Sequence, residues 1–255
     1  MNRPSTYVLL HGFAGAPSSW DLVVARLPPR ARVLRPTLVG HAGPPTPDAP
    51  ASFAAEVERL AALIGAADAR GAHLCGYSLG GRLALGLVAR DPDLAARVTV
   101  IGTHPGLPEH APERAERAAA DEQWAQLLER EGSAAFAAAW AAQPIFASQA
   151  TLPAPLQAAQ DAQRAAHEPR GLAHAMRALS LARMPDLRPA LAGPSGAHLT
   201  FMAGLRDDKF ATLAAETAAS LPTRRARVCI VPGAGHNLLL ERPGEVAIEL
   251  ASAKE

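Results

Sequence analysis

The chain has few of the residues that would indicate a disulfide-stabilised or nucleic-acid-binding protein. Only two of its 255 residues are cysteine, and Cys75 and Cys229 each lie in a short apolar run typical of a buried strand. The formal net charge of +1 provides neither a basic surface for nucleic acid nor an acidic tail. We therefore expect no disulfide framework and no nucleic-acid partner.

Long hydrophobic runs and metal-binding spacings are also missing. No stretch approaches the roughly 18 apolar residues of a membrane span, and the apolar run before His11 is too short for a signal peptide. The nine histidines show no H-x-x-x-H or H-E-x-x-H spacing and form no cluster with cysteine. We expect a cytoplasmic protein with no stable membrane insertion, no metal and no cofactor.

Short strand candidates alternate with helical patterns along most of the chain. The strand candidates are rich in leucine or β-branched residues and are Tyr7–Leu10, Arg32–Leu34, His73–Cys75, Val98–Ile101, Leu199–Met202 and Val228–Val231. Residues 51–64 have apolar side chains at helical spacing behind Ser52 as a candidate cap, and residues 79–88 form a second helical pattern. This alternation predicts an α/β fold with a mostly parallel sheet of about six strands and helices on both faces.

The alternation stops between about Pro105 and Pro194. Residues 112–131 and 133–142 have helical patterns, and residues 161–180 predict one or two further helices, broken at Pro169 and Gly171. A helical insertion after the fourth strand candidate would lie over the carboxyl edge of the sheet. We predict one domain spanning residues 1–255, with residues 105–194 forming a helical cap.

The sequence Gly76-Tyr77-Ser78-Leu79-Gly80 follows a strand candidate and opens a helix. In that setting G-x-S-x-G is typical of a nucleophile elbow, where small residues on both sides of the serine let strand and helix approach closely. The serine hydroxyl then lies at a helix N-terminus, where backbone N–H groups stabilise an anion. The pattern also arises by chance in a chain rich in glycine and alanine, so further residues must support it.

Two later residues provide that support. Asp207 directly follows the fifth strand candidate and His236 the sixth, which is the order Ser, Asp, His used by hydrolases with this elbow. Because the carboxyl ends of parallel strands meet at one edge of a sheet, we predict a catalytic triad of Ser78, His236 and Asp207. The alternatives are that His236 is structural or that Asp207 caps a helix, although Asp208 is better placed to cap a helix starting near Lys209.

Backbone N–H groups for an oxyanion hole are predicted at two positions. His11-Gly12-Phe13 follows the first strand candidate, which places the N–H of Phe13 beside that of Leu79, the residue after Ser78. The alternative is a simple turn at Gly12.

Arginines recur around the predicted site. Arg82 lies one helical turn after Ser78, Arg117 shares a helical face with Trp124, and Arg164 and Arg177 lie on later cap segments. A single arginine on an apolar face usually extends to water. Several around one pocket instead favour a polyanionic substrate, because the guanidinium group binds carboxylates with two hydrogen bonds.

Strings spread over nearly the whole chain resemble one family, the 2-succinyl-6-hydroxy-2,4-cyclohexadiene-1-carboxylate synthases of menaquinone biosynthesis. The matching strings include His11–Phe13, Gly102–Leu107 and Arg114–Arg117. The elbow and the Pro232–Asn237 loop are shared by the whole α/β-hydrolase superfamily, whereas Arg82 after the elbow, Trp140–Gln149 and Asp207–Phe210 are much more specific to this family. The resemblance implies the α/β-hydrolase fold and elimination of pyruvate from a cyclohexene with succinyl, enolpyruvyl and ring carboxylate groups. Ser78, activated by His236, would then abstract a proton and need not form an acyl-enzyme.

The resemblance also implies substrate contacts. The positions that match substrate-binding residues of the family are Tyr77, Arg82, Arg117, Trp140, Arg164 and Lys209. They would bind a small anionic polycarboxylate. The family often has D-L-P-G-H-G where this chain reads Pro36-Thr-Leu-Val-Gly-His-Ala42, so the acidic residue and the proline of that string are missing. The sequence also departs from the family at Ala141, where an aromatic residue can occur, and at Leu239, where a second histidine is common. The chain also begins almost at its first core strand, so the outermost N-terminal strands of the fold are expected to be absent.

Two other function classes stay open at this point. A serine hydrolase, such as a carboxylesterase, thioesterase or C–C bond hydrolase, would use the same triad but form an acyl-enzyme on Ser78. A non-catalytic binding protein would have no need of all three triad groups. The oligomeric state is not indicated by the sequence.

Overall fold

The six strand candidates form one parallel sheet. The computed structural model describes residues 5–193, 196–222 and 225–252. Its strands are β1 (Thr6–Leu10), β2 (Arg32–Leu34), β3 (Ala72–Tyr77), β4 (Ala95–Ile101), β5 (His198–Gly204) and β6 (Ala226–Val231). The order across the sheet is β2-β1-β3-β4-β5-β6, and each neighbouring pair is parallel. The predicted six-stranded parallel sheet is confirmed.

Helices connect the strands. They are α1 (Asp21–Val24), α2 (Phe53–Ala66), α3 (Leu79–Arg90), α4 (Glu113–Ala141), α5 (Ala154–Ala165), α6 (Pro169–Ala178), α7 (Arg188–Leu191), α8 (Asp208–Ala219), α9 (Leu238–Glu241) and α10 (Pro243–Ala251). Short 3₁₀ helices occupy Pro17–Trp20 and Pro144–Thr151. Ser52 caps α2 as predicted, because its hydroxyl accepts a hydrogen bond from the N–H of Ala55 at 3.2 Å.

Successive side chains of the strands point to opposite faces of the sheet and pack into two separate hydrophobic cores. On β1, Val8 and Leu10 pack with the apolar faces of α2 and α3, whereas Tyr7 and Leu9 pack with residues of α1 and α10. This alternation follows from the two-residue period of a β-strand. Helices therefore cover both faces of the sheet, as the sequence pattern predicted.

The segment between β4 and β5 is helical, and α4 packs against α5 and α6. The two predicted helical patterns join into α4, which leaves helical geometry at Gly132, with φ 81° and ψ 176°. The predicted break at Gly171 is wrong, because α6 begins at Pro169 and continues through Gly171. A Cβ on Gly171 would lie 2.2 Å from the carbonyl oxygen of Gly43, so the glycine permits close packing. The predicted cap boundary at Pro194 and the chain ends lie outside the described residues.

An aromatic cluster joins these helices to the loop after β1. The indole of Trp140 lies 5.2 Å from the ring of Phe136, 5.1 Å from Trp124 and 5.4 Å from Phe13, measured between ring centroids. Such contacts hold the helices against the carboxyl edge of the sheet. Within the described residues, no helix combines the length and apolarity needed to cross a bilayer.

Candidate active site

Ser78 occupies a strained turn between β3 and α3. Its φ is 51° and its ψ is −107°, a combination that costs on the order of 1–3 kcal/mol for a residue with a side chain. A Cβ on Gly76 would lie 2.2 Å from the carbonyl oxygen of Gly80, and one on Gly80 would lie 2.2 Å from that of Leu10. The two glycines therefore make the sharp turn sterically feasible, and the turn places the serine hydroxyl at the start of α3.

Ser78, His236 and Asp207 meet at the carboxyl edge of the sheet. The Oγ of Ser78 lies 3.2 Å from Nε2 of His236, and Nδ1 of His236 lies 2.6 Å from Oδ2 of Asp207. Because an ionised carboxylate only accepts hydrogen bonds, Nδ1 carries the proton and Nε2 accepts from the serine hydroxyl. Asp207 holds the N-cap position of α8, but its side chain makes no capping hydrogen bond. The expectation that Asp208 caps α8 is wrong, since the helix already includes Asp208.

The loop after β1 orients the N–H of Phe13. The carbonyl oxygen of Gly12 accepts hydrogen bonds from Nδ1 of His11 at 2.8 Å and from the N–H of Gly15 at 3.1 Å. In a trans peptide the C=O and N–H groups point in opposite directions, so these contacts turn the N–H of Phe13 away from His11. Leu79 is the first residue of α3, where N–H groups lack helical partners.

A second histidine, His41, holds the same loop. Its Nε2 accepts a hydrogen bond from the N–H of Ala14 at 3.1 Å, and its Nδ1 donates to the carbonyl of Val39 at 2.9 Å. Ala14 has a φ of 53°, which an alanine adopts only when neighbouring groups hold it. Burial lowers the pKa of His41 well below its usual value, so the ring stays a neutral acceptor. The sequence did not indicate this role for His41, which lies in the segment of residues 36–42.

Glu241 holds the loop that carries His236. Its buried carboxylate accepts hydrogen bonds from the N–H of Gly235 at 2.7 Å and of Asn237 at 3.2 Å, the residues on either side of the histidine. The hydroxyl of Ser148, in the 3₁₀ helix before α5, also donates to this carboxylate at 3.1 Å. One buried acidic group thus ties the histidine loop to the helical segment above it.

A cavity of about 140 Å³ opens beside Ser78 and His236. Four of the six predicted substrate-binding residues line it, namely Arg82, Arg117, Trp140 and Lys209. Phe13 and Leu79, whose N–H groups are the predicted oxyanion donors, line it as well. The structure therefore brings these predicted residues together around the serine.

The other two predicted binding residues line a neighbouring cavity. Tyr77 and Arg164 border a space of about 420 Å³, which shares Phe13 and Phe146 with the cavity of Ser78. The guanidinium carbon of Arg164 lies 4.9 Å from the centroid of the Phe146 ring, an arrangement typical of a cation–π contact. The two phenylalanines therefore border both spaces.

Arginine and lysine outnumber acidic residues around the cavity beside Ser78, where Arg82, Arg117 and Lys209 occur with Asp121. Arg82 donates from Nη1 to the carbonyl oxygen of Leu179 at 2.8 Å, and Nη2 of Arg117 lies 2.8 Å from Oδ1 of Asp121. Burial and the charge of Arg117 lower the pKa of Arg82, while the charge of Asp121 raises it. Nε of Arg117 is buried and has no hydrogen-bond partner in the described part of the chain. With three cations and one anion in its lining, the cavity suits an anionic ligand.

Arg177, which sequence reasoning grouped with the cap arginines, has a different environment. Its guanidinium group donates to Glu122 at 2.8 Å through Nε and to Glu129 at 2.9 Å through Nη2, outside the cavity lining. These two acidic residues lie on α4, so the ion pairs connect two helices. Arg177 is therefore committed to surface ion pairs.

Several lining residues were not predicted from the sequence. They are His104, Asp121, Phe146, Ser180 and Phe210. For Asp121 the four-residue spacing from Arg117 was an available signal, because side chains at that spacing share a helical face. No group of three or more histidine, cysteine or acidic side chains suited to a metal ion occurs among residues 5–193, 196–222 and 225–252.

Comparison with known proteins agrees with this geometry. Residues 7–250 match the Alpha/beta hydrolase family. The 2-succinyl-6-hydroxy-2,4-cyclohexadiene-1-carboxylate synthase of Escherichia coli O1:K1 is 36% identical over 244 residues, covering 96% of this chain and 91% of that protein. The synthase of the same name from Enterobacter sp. strain 638 is 36% identical over 247 residues, covering 96% and 89%. The chain belongs to this synthase family, within the alpha/beta hydrolases.

Solved structures agree with membership of the synthase family. The structure of MenH from S. aureus superposes with a TM-score of 0.89 at 25% identity, covering 98% of this chain and 93% of that one. A thermophilic esterase from Thermogutta terrifontis superposes with a TM-score of 0.82 at 21% identity, covering 98% and 89%. The second similarity shows the shared fold alone, because related folds host different chemistries.

Proposed function

We propose that this enzyme eliminates pyruvate from 2-succinyl-5-enolpyruvyl-6-hydroxy-3-cyclohexene-1-carboxylate, forming the product for which its relatives are named. It would act in the cytoplasm, in menaquinone biosynthesis, as a single domain with the helices of residues 105–194 as its cap. The observation that carries the proposal is the cavity in which Arg82, Arg117 and Lys209 lie beside Ser78. A pocket for a simple ester needs no cations, whereas a substrate with three carboxylates calls for several.

The reaction begins with removal of the proton on the ring carbon next to the succinyl carbonyl. The Oγ of Ser78 takes this proton as its own passes to Nε2 of His236, and Asp207 stabilises the resulting imidazolium. The electrons of the broken C–H bond move into the carbonyl, and the enolate oxygen accepts hydrogen bonds from the N–H groups of Phe13 and Leu79. When the enolate collapses, its electrons shift the ring C=C bond and break the C–O bond to the enolpyruvyl group, which forms the ring diene and releases the enolate of pyruvate. The imidazolium of His236 returns its proton to solvent and the pyruvate enolate takes up one proton on carbon, so that pyruvate forms and the triad is restored.

The substrate carboxylates would bind to the cationic side chains of the cavity, Arg82, Arg117 and Lys209. Arg117 has a buried Nε without a partner in the described residues, and Lys209 lies at the exposed side of the same cavity. Tyr77 and Arg164 would take part where the substrate extends past Phe13 and Phe146 into the larger space. The 420 Å³ of that space lies within the range of about 300–1,000 Å³ usual for small-molecule sites.

A serine hydrolase is the alternative, because an esterase has the same fold and a serine beside a histidine can also act as a covalent nucleophile. The two proposals differ in the covalent state of Ser78. A hydrolase forms an acyl-enzyme, whereas the elimination needs only proton transfer.

The deciding experiment is a pyruvate-release assay with the synthetic cyclohexene substrate, run beside a panel of p-nitrophenyl esters. We expect pyruvate release, weak ester hydrolysis and no mass adduct on Ser78 after rapid quenching. Rapid ester turnover together with a substrate-derived adduct on Ser78, and no pyruvate, would instead establish the hydrolase.

A further inference from the structure

His104 lies on the loop that follows β4 and lines the same cavity as Ser78 and His236. It belongs to the Gly102–Leu107 string, which contributed to the family resemblance without receiving a role. Its ring also borders a shallow depression beside Lys209, so it stands near the entrance of the cavity. The residue is therefore placed to meet a substrate.

The loop of His104 is held on both sides. Gly102 has a φ of 56°, and a Cβ there would lie 2.7 Å from Cε1 of His236. Gly106 has a φ of 112°, and a Cβ there would lie 2.1 Å from the carbonyl oxygen of Pro185. The carbonyl of Pro105 also accepts a hydrogen bond from the N–H of Leu187 at 2.9 Å. The backbone of the loop is therefore closely packed on both sides of His104.

The hydrogen bonds of the ring define its tautomer. The N–H of Gly106 donates to Nδ1 of His104 at 3.1 Å, so Nδ1 carries no proton. A neutral imidazole then carries its proton on Nε2. Burial, followed by the charges of Lys209, Arg82, Arg188 and Arg117, lowers the pKa of His104 to about 4, which keeps the ring neutral at neutral pH. In the described part of the chain, no acceptor takes the Nε2 proton.

We propose that His104 is a substrate-binding residue, whose Nε2–H donates a hydrogen bond to a carboxylate oxygen of the anionic substrate in the Ser78 cavity. The inference rests on the proposed function for the identity of that substrate. The arginines and the lysine supply charge, and a further cation among them would be repelled. The neutral Nε2–H of His104 adds no charge, and its hydrogen bond instead determines the position of one carboxylate oxygen of the substrate.

Two substitutions separate this role from a purely structural one. His104→Asn keeps an oxygen near the position of Nδ1, which can still accept from Gly106, but removes the donor at Nε2. His104→Gln places its amide nitrogen near the position of Nε2, which retains the donor but loses the contact with Gly106. The exposed His110, changed to Asn, is the control.

The measurement is kcat and KM for pyruvate release, with thermal unfolding to check that each variant folds. We expect His104→Asn to raise KM by about 10-fold or more, the loss of one hydrogen bond to a charged group, with kcat within about threefold of wild type. His104→Gln should stay within about threefold in KM, and His110→Asn should match wild type. A normal KM for His104→Asn, or a KM raised equally in both His104 variants, overturns the proposal.

A binding measurement completes the test. In a Ser78→Ala background, calorimetry with the intact substrate should show weaker binding when His104→Asn is added, and unchanged binding overturns the proposal. The wild-type assay tests the proposed function separately. If wild type releases pyruvate and His104→Asn has an unchanged KM, only the role of His104 is contradicted. If wild type releases no pyruvate, the proposed function is contradicted.

Discussion

Arg117 and Asp121 form an ion pair one turn apart on α4, with 2.8 Å between Nη2 and Oδ1. The Asp121 side chain is only 3% exposed, and its second oxygen accepts a hydrogen bond from the hydroxyl of Ser180 at 2.7 Å. A buried anion thus fixes a cation at the cavity wall. Without it, Arg117 and Arg82 would repel each other with no compensating charge nearby.

Asp121→Asn should therefore destabilise the protein. We expect the free energy of unfolding to fall by about 1–3 kcal/mol, below the usual cost of breaking a fully buried pair because Arg117 is partly exposed. Urea unfolding measures the change. The control is Glu122→Gln, which weakens a more exposed pair with Arg177 and should cost less than about 1 kcal/mol. Equal losses for the two variants would contradict the expected difference.

Arg117→Ala should lower the catalytic efficiency of pyruvate release. We expect kcat/KM to fall by about 10- to 100-fold, because one charged hydrogen bond to substrate is lost. Arg177→Ala is the matched control, since its guanidinium group is paired with Glu122 and Glu129 on the surface. Steady-state pyruvate release by both variants checks this, and a similar decline in each would show that Arg117 has no specific role.

Ser78→Ala should abolish turnover without preventing binding. We expect kcat to fall by at least about 10³-fold, as in triads that lose one member. The substrate should still bind, because the cationic side chains remain. Stopped-time pyruvate assays and calorimetry measure the two quantities, and near-normal turnover would remove Ser78 from the mechanism.

Gly171→Ala should disturb the packing of α6. The added Cβ would lie 2.2 Å from the carbonyl oxygen of Gly43, so the backbone must shift, and we expect a loss of about 1–3 kcal/mol or more in the free energy of unfolding. Gly65→Ala is the control, because nothing lies within 4 Å of a Cβ there and the position is helical. That variant should be neutral or up to about 1 kcal/mol more stable. If the two variants had the same free energy of unfolding, a steric clash between residue 171 and the carbonyl of Gly43 would be ruled out.

Acid should destabilise the protein through its buried histidines. Burial, followed by the charge of Arg97, lowers the pKa of His73 from 6.5 to about 3. Below pH 6.5 the unfolded chain binds a proton at His73 that the folded protein does not, so stability falls as the pH falls. The loss per histidine approaches about 1.4 kcal/mol per pH unit between pH 6 and 4.

His73→Gln should therefore reduce the slope of unfolding free energy against pH in that window by up to one proton. His11, whose pKa burial lowers to about 4, contributes a similar slope that the variant retains. Urea unfolding at half-unit steps of pH tests this. His110→Gln, at an exposed position, should leave the slope of wild type unchanged. If His73→Gln left the slope of unfolding free energy against pH unchanged, His73 would have the same pKa in the folded and unfolded states.

The architecture could be predicted because local and global patterns agree. Helical patterns lie between most of the strand candidates, and a parallel sheet covered by helices is the arrangement that buries both. The error at Gly171 has a specific cause. Glycine ordinarily weakens a helix, but here its lack of a side chain lets α6 approach the loop at Gly43, and that tertiary contact is not visible in local sequence.

At the site, the residues that could be predicted carry motifs or follow strands. The geometry brings Ser78, Asp207 and His236 together because each follows a strand of one parallel sheet. Glu241 had no comparable signal, and His104, although it lies in the Gly102–Leu107 string after a strand, has no residue type or spacing that indicates its role. Their importance depends on contacts between loops, such as the carboxylate of Glu241 between two backbone N–H groups, and these exist only once the chain has folded.

The carboxylate of Glu241 also has a mechanical consequence. It contacts the backbone on both sides of His236 and the hydroxyl of Ser148, and Ser148 lies two residues after Phe146, which borders both cavities. A ligand that shifted the backbone around Phe146 would therefore also shift a support of the imidazole. One acidic side chain links the segment that borders both cavities to the loop of His236.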